Sequence, residues 1–179
     1  ITAATPFNNG DNNVHLLNIM SNDGKVVIND LNLDGNNVAR NVLNVYNSSD
    51  VELNNVDVQN ATNQGLVVNG STVVANELTS AGNKNGGVYV DNDSAAFTMN
   101  SGELQDNLVA EGGATTIKGG TFDGSVLILG GTGAISGGTF NGTVSGKPDN
   151  LTVSGGNFHK SMSNNADDTQ IIYEVTADG

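Results

Sequence analysis

The sequence predicts an all-β fold, a right-handed parallel β-helix of about seven stacked coils in a single domain. Three observations support this fold class. A short apolar–turn–apolar unit recurs along the chain, and its last copies keep a constant spacing. The chain of 179 residues contains 29 Asn and 24 Gly, which adopt the left-handed backbone conformations of turns at little cost. Those same residues are poor in helix interiors, so a helical fold is disfavoured.

The repeat is clearest near the C-terminal end of the sequence. Three segments there carry a β-branched residue, two glycines, a polar residue and a phenylalanine in the same order: 117–122, 135–140 and 153–158. Self-similarity at a fixed period is typical of a solenoid. Upstream, the unit continues in a more aliphatic form at 26–33, 51–58, 73–80 and 97–104.

Each copy is interpreted as two short strands with alternating inward side chains, joined by a two-residue turn. A single copy cannot bury its apolar face, whereas stacked copies bury a continuous one. From Ile28 to Val153 the anchor residues are spaced by 25, 22, 24, 18, 18 and 18 residues. A third strand is expected before each unit, at 17–19, 43–45, 66–68, 88–90, 108–110, 126–128 and, more weakly, at Val144.

Asparagine recurs at one position of the repeat. Asn29, Asn54, Asn76 and Asn100 occupy the first turn site in four successive coils. Asn accepts the left-handed conformation that we expect of this turn, and stacked side-chain amides can hydrogen-bond from coil to coil. The sequence therefore predicts an asparagine ladder, a structural feature and not a binding site.

The handedness follows from the irregular apolar spacing. A left-handed β-helix needs an aliphatic residue every six positions, but Ile117, Phe122, Ile128, Ile135 and Phe140 are spaced by 5, 6, 7 and 5 residues. Parallel crossover connections are right-handed in the great majority of proteins. A right-handed solenoid is therefore predicted.

The ends of a solenoid expose apolar strands and need caps. We expect residues 1–13 to cap the first coil, residues 14–158 to form the coils, and residues 159–179 to cap the last coil with a closing strand at 171–175. The chain begins without Met, so it is interpreted as a processed form or as a fragment of a larger protein.

Composition restricts the partners. The net charge is −13 with only six Lys and Arg residues, which disfavours nucleic acid and an anionic membrane surface. No stretch approaches the ~20 apolar residues of a membrane span. The chain has no Cys, so disulfides play no part in the fold.

Residues suited to catalysis are few, and we assign no catalytic site. Lys118 and Arg40 are interpreted as solvated charges because no acidic cluster lies at a suitable offset. His15 and His159 lack flanking glycines on both sides. Asp167 and Asp168 are adjacent, and adjacent side chains on a strand point to opposite faces.

A calcium site has more support from the sequence than a catalytic site, although that support is weak. Asp91-Asn92-Asp93 follows a predicted strand and offers the oxygen donors that Ca²⁺ prefers. The glycine and glutamate positions of an EF-hand loop are absent, however, and a solvated turn is the favoured interpretation. No metal-binding or cofactor-binding residue is assigned.

The coil motifs at 135–140 and 153–158 resemble those of the pectate-lyase-like β-helix superfamily, and in particular of adhesin-type surface proteins of bacteria. The resemblance covers residues 14–158 and transfers no functional residue. It implies a secreted, cell-surface location and a non-enzymatic adhesin or stalk that displays polar faces to a glycan or a host or matrix protein. A polysaccharide lyase is the alternative, since the fold alone does not determine function.

Overall fold

A computed structural model of the chain describes residues 1–4, 14–20, 24–47, 49–147 and 149–160. These residues form fifteen β-strands and no helix, and every pairing between strands is parallel. The chain is a right-handed parallel β-helix, as predicted. The strands are β1 (Leu17–Met20), β2 (Lys25–Asp34), β3 (Leu43–Tyr46), β4 (Asp50–Gln59), β5 (Gln64–Asn69), β6 (Thr72–Ala81), β7 (Gly86–Asp91), β8 (Ala96–Leu104), β9 (Leu108–Ala110), β10 (Ala114–Ile117), β11 (Thr121–Phe122), β12 (Val126–Ile128), β13 (Thr132–Phe140), β14 (Val144–Gly146) and β15 (Leu151–Phe158).

The strands form two sheets that run along the solenoid. One has seven strands in the order β1-β3-β5-β7-β9-β12-β14, and the other has eight strands, with β10 and β11 sharing one level. Each sheet therefore has seven levels, joined by about six complete turns. The third strands predicted from the sequence, including the weak one at Val144, are the strands of the seven-stranded sheet.

The repeating unit differs from the prediction in one respect. Its two arms are a single bent strand at six of the seven levels and separate strands only at β10 and β11. In the early coils one left-handed residue makes the bend: Asp30 (φ 53°), Asn55 (φ 55°) and Glu77 (φ 67°). The expectation that the ladder asparagines themselves are left-handed is wrong, because the residue with positive φ follows them, immediately after Asn29, Asn54 and Asn76 and two positions after Asn100.

From the fourth unit onward the bend changes. Gly102 has a φ of 122° and pairs with Leu78 of the coil before it. Gly120, Gly138 and Gly156 repeat this conformation, with φ of 103°, 111° and 122°. Such values are open to glycine and strained for other residues. The later coils therefore lose the apolar side chain that the early coils carry at this position.

Phenylalanine fills the space that these glycines leave. Phe122, Phe140 and Phe158 stack with ring centroids 4.8 and 4.7 Å apart and interplanar angles of 10° and 6°. A Cβ on Gly138 would lie 3.3 Å from the ring of Phe140. In the Gly-Gly-x-Phe motif, the second glycine contributes no side chain to the core. The phenylalanine two positions later in the same coil fills that space, so the core stays closely packed.

The asparagine ladder is present. The side-chain amide of Asn54 donates to the amide oxygen of Asn29 at 2.8 Å. Asn76 donates to Asn54 at 2.8 Å, and Asn100 donates to Asn76 at 2.5 Å. Lys118 occupies the next level, where the ladder ends.

The core is a continuous apolar column inside the coils. Inward side chains of the middle levels are essentially inaccessible to solvent, whereas those of the first and last levels are partly exposed. At the N-terminal end, Thr2 pairs with Asp34 and the Ala3 amide donates to the Asp34 carbonyl at 2.8 Å. Most of both predicted caps, including the predicted strand at 171–175, lies outside the described residues.

Thr115 is a buried threonine whose hydroxyl has no hydrogen-bond partner among the described residues, with a residue exposure of 2%. It lies inward in register with Phe97 and Gly133. We expect Thr115→Val to stabilise the fold by about 1 kcal/mol, because a methyl group of similar shape replaces an unsatisfied hydroxyl. Thr116→Val, at the outward-facing neighbour, is the control. Equal free energies of unfolding for the two variants in urea would contradict this account.

The asparagine ladder predicts that the stability lost on replacing an asparagine depends on its place in the ladder. Asn76 both donates and accepts within the ladder, whereas Asn29 at its end only accepts. Asn76→Ala should lower the free energy of unfolding by about 2 kcal/mol, at roughly 1 kcal/mol per hydrogen bond. Asn29→Ala should cost about half as much. Equal losses in equilibrium unfolding would show that the amides do not act as a ladder.

Candidate binding surface

The second arm of each bent strand presents an outward row along the solenoid, which we call the second-arm column. Strand register places its members directly above one another. The column consists of Asn32, Asp57, Thr79, Glu103, Thr121, Thr139 and Asn157. Every member is polar, and adjacent strands lie ~4.8 Å apart.

Side-chain hydrogen bonds already use some polar groups of this column and leave its threonine hydroxyls open. In the lower part, Asn32 donates to Asp57 at 3.5 Å and accepts from Gln59 at 3.2 Å. In the upper part, Glu103 accepts from Gln105 at 2.9 Å and Asn157 contacts His159. The hydroxyls of Thr79, Thr121 and Thr139 make no side-chain hydrogen bond to another described residue. The upper part therefore offers donors and acceptors that a ligand can use.

Elsewhere on the surface, carboxylates are held by asparagine amides of adjacent coils. The amides of Asn55, Asn60, Asn69, Asn83 and Asn141 donate to Asp30, Asp34, Asp91, Asp106 and Asp123 at distances of 2.6 to 2.9 Å. Each bond joins two coils. These carboxylates are structural, and sequence reasoning missed them. The signal that could have found them is an Asn–Asp offset close to one coil.

Asp106 accepts the most hydrogen bonds among these carboxylates. One of its oxygens accepts from the Ser80 hydroxyl at 3.0 Å, the Asn83 side-chain amide at 2.8 Å and the Asn83 backbone N–H at 3.1 Å. Asn83 is 5% exposed and also accepts from the backbone of Ala61 at 2.9 Å. The cluster fixes the corner between coils and leaves little capacity for a ligand.

The candidate calcium residues form an ordinary turn. Both oxygens of Asp91 are used, one by Asn69 at 2.9 Å and the other by the backbone N–H of Asn92 at 2.8 Å. The side-chain oxygen of Asn92 accepts from Ser94, at 3.0 Å from its hydroxyl and 3.2 Å from its backbone N–H. Across the described segments, no three His, Cys, Asp or Glu side chains are grouped to hold a metal ion.

The other sequence candidates are dispersed. Lys118 is exposed in the ladder row, and Arg40 is exposed in the link between β2 and β3, where its backbone N–H donates to Val14. His159 lies 3.3 Å from the amide of Asn157 at the end of the second-arm column. His15 precedes β1 at the opposite end. Asp167 and Asp168 lie outside the described residues.

Tyr89 and Glu111 make a contact between adjacent coils that the sequence did not suggest. Tyr89 lies on the outer face of β7, and its hydroxyl donates to the Glu111 carboxylate at 2.6 Å. Burial, followed by this hydrogen bond and by the nearby negative charge of Asp91, raises the pKa of Tyr89 above its ordinary value of 10.0. The neutral phenol is therefore the form that the fold favours.

Lys25 and Glu52 form the one salt bridge in the described part of the chain. The hydrogen bond from Lys25 holds the pKa of Glu52 below its usual value, and the bond to Glu52 raises the pKa of Lys25. Both side chains lie at the surface, where ion pairs add little stability. Hydrogen bonds donated by side-chain amides, to other amides and to carboxylates, are thus the main polar side-chain links between coils.

Comparison with known proteins adds no relative. No family model, no curated protein and no solved structure matches the chain. The described residues also contain no helix that could span a membrane. The fold therefore defines the class of protein, a parallel β-helix with polar outer faces. Any function must be inferred from the surface of this protein itself.

The raised pKa of Tyr89 predicts late ionisation. A group whose pKa is raised by folding contributes stability below its unfolded pKa and loses that contribution as the pH rises through the folded pKa. We expect Tyr89 to remain protonated at a pH at which an ordinary tyrosine has already ionised. Alkaline absorbance titration of the wild-type protein minus Tyr89→Phe isolates this phenol.

Glu111→Gln is the informative partner variant in the same titration. It should lower the pKa of Tyr89 but leave it above 10.0, because burial is the larger cause of the shift. A Tyr89 that ionises at the ordinary value in the wild-type protein would refute this description of the contact.

Proposed function

We propose that the chain is a non-enzymatic, extracellular β-helix module of a bacterial surface protein, acting as an adhesin or stalk. The observation that carries the proposal is the upper part of the second-arm column. There Thr79, Thr121 and Thr139 present uncommitted hydroxyls in coil register, with Glu103 between them. Hydroxyl rows of this kind suit hydrogen bonding to a glycan or to an extended protein segment.

The repetition of the column supports display as its mechanism. Each contact made by a threonine hydroxyl is weak, at about 1 kcal/mol. A rigid row of such contacts binds a repetitive ligand more tightly, because each further contact is intramolecular once the first has formed. Among the described aromatic residues, the phenylalanines lie in the core or pack against it, and the hydroxyls of Tyr46 and Tyr89 are already bonded to Met20 and Glu111. The proposed contacts are therefore polar.

The structural use of the carboxylates also supports a non-catalytic module. Five Asp side chains accept asparagine amides from adjacent coils. The resemblance to adhesin-type members of the pectate-lyase-like superfamily agrees with an extracellular location and with a larger parent protein. Both remain parts of the proposal.

The test is binding of the purified chain to an array of glycans and matrix proteins, with Ca²⁺ and with EDTA. We expect selective binding to at least one ligand. Thr121→Ala/Thr139→Ala should weaken that binding roughly thirtyfold, as expected for the loss of two hydrogen bonds of about 1 kcal/mol each. Thr98→Ala/Thr116→Ala, at outward first-arm positions of the adjacent strands β8 and β10, is the control and should bind as the wild-type protein does.

Each alternative has its own outcome. Equal weakening by both double variants would refute the second-arm column as the binding surface. Silence across the array would favour a stalk without a ligand. Release of unsaturated sugar products from an acidic polysaccharide would instead show a lyase. Loss of binding in EDTA, reproduced by Asp91→Asn, would restore Asp91 as a calcium ligand.

A further inference from the structure

Two of the amide–carboxylate pairs combine a structural bond with a chemically labile sequence. Asn69 donates to Asp91 at 2.9 Å, and Asn141 donates to Asp123 at 2.6 Å. In both cases the next residue is glycine: Gly70 and Gly142. Asn-Gly sequences are prone to lose the side-chain amide, because a glycine nitrogen carries no neighbouring side chain to obstruct its approach to the asparagine side chain.

The fold requires glycine at both positions. Gly70 has a φ of 55°, which disfavours residues with a Cβ. A Cβ on Gly142 would lie 2.1 Å from the carbonyl oxygen of Gly124 in the coil below. The bend of the chain and the close approach of two backbones therefore impose the labile sequence at the same corners where asparagine bonds to aspartate.

The reaction needs only water. The backbone nitrogen of the glycine attacks the side-chain carbonyl carbon of the asparagine, and the amide nitrogen leaves as ammonia. Water then opens the cyclic imide at either carbonyl, giving aspartate or the isoaspartyl isomer. One water is consumed and one ammonia is released, with no change of oxidation state.

We propose that Asn69 and Asn141 are hydrolytic modification sites at which deamidation loosens the coil stack. The new carboxylate cannot donate the hydrogen bond, and it faces the carboxylate of Asp91 or Asp123 at the distance of the bond it has lost. Like charges placed directly opposite each other on adjacent strands are destabilising. The isoaspartyl product also adds an atom to the main chain and breaks the register of the corner.

Asn85 supplies an internal comparison. It also precedes a glycine, Gly86, but its amide donates to the neutral amide of Asn63 at 2.7 Å, and it is exposed. Deamidation there creates no carboxylate pair, because the side chain of Asn63 is a neutral amide. The same chemistry thus has different consequences at Asn69 and Asn141 than at Asn85.

The first experiment uses substitutions that reproduce the aspartyl product in the full chain. Asn141→Asp and Asn69→Asp should each lower the melting temperature by roughly 4–8 °C, from a lost bond to a charged group and a new repulsion. Asn85→Asp should change it by less than about 2 °C. Equal shifts at the three positions would overturn the proposal.

Exchanging the asparagine and the aspartate of one pair tests the proposal even where a single variant does not fold. Asp123→Asn/Asn141→Asp restores one amide and one carboxylate in reversed order, and it should recover most of the lost melting temperature. A double variant no more stable than Asn141→Asp, or one that also fails to fold, would contradict the pairing on which the proposal rests.

The second experiment follows the natural reaction. The wild-type protein is aged at mildly alkaline pH, and the native and unfolded fractions are separated by size and analysed by peptide mass spectrometry. Deamidation at Asn69 and Asn141 should be enriched in the unfolded fraction, whereas deamidation at Asn85 should be shared equally. A native fraction fully deamidated at Asn141 with an unchanged melting temperature would overturn the proposal.

Discussion

Parallel stacking of coils in register is the constraint on which the rest of this structure depends. Because each strand pairs with the equivalent strand one coil away, every residue lies directly above and below its own counterparts. Each side chain must therefore pack against the equivalent side chains of the coils above and below it, as well as against its neighbours in its own coil. Identical amides satisfy this condition because each can donate upward and accept from below, and the asparagine ladder from Asn29 to Asn100 is the result.

The same constraint explains how the core tolerates a change of repeat. Where the bend moves onto glycine, as at Gly138, the coil loses an inward side chain, and a phenylalanine two positions later fills the space. The exchange works because the aromatic rings stack on their own counterparts at 4.7 to 4.8 Å, the spacing that the sheets impose. A further adjustment lies in the column where Phe97 is followed by the smaller Thr115 and Gly133.

The outer faces divide into polar groups that hold the coils together and polar groups that remain available. Asparagine–aspartate pairs at the corners belong to the first kind, and they explain how a chain with a net charge of −13 keeps carboxylates on adjacent coils. The upper threonines of the second-arm column belong to the second kind. The proposed display function depends on this division, because a surface whose donors and acceptors are all used has little capacity for a ligand.

The sequence by itself determined the repeat, the parallel solenoid and the level of every strand, because a unit that recurs at a nearly constant interval must lie against its own copies. It also identified the asparagine ladder, since four amides at one repeat position lie next to each other once the coils stack in register. Only the tertiary structure decided which residue makes each bend. It also decided that Asp91 accepts a hydrogen bond from Asn69, and that Tyr89 donates one to Glu111. Many pairs of residues are separated by about one coil, so the offset along the chain does not by itself decide which of them bond, and the positions of the side chains in space do.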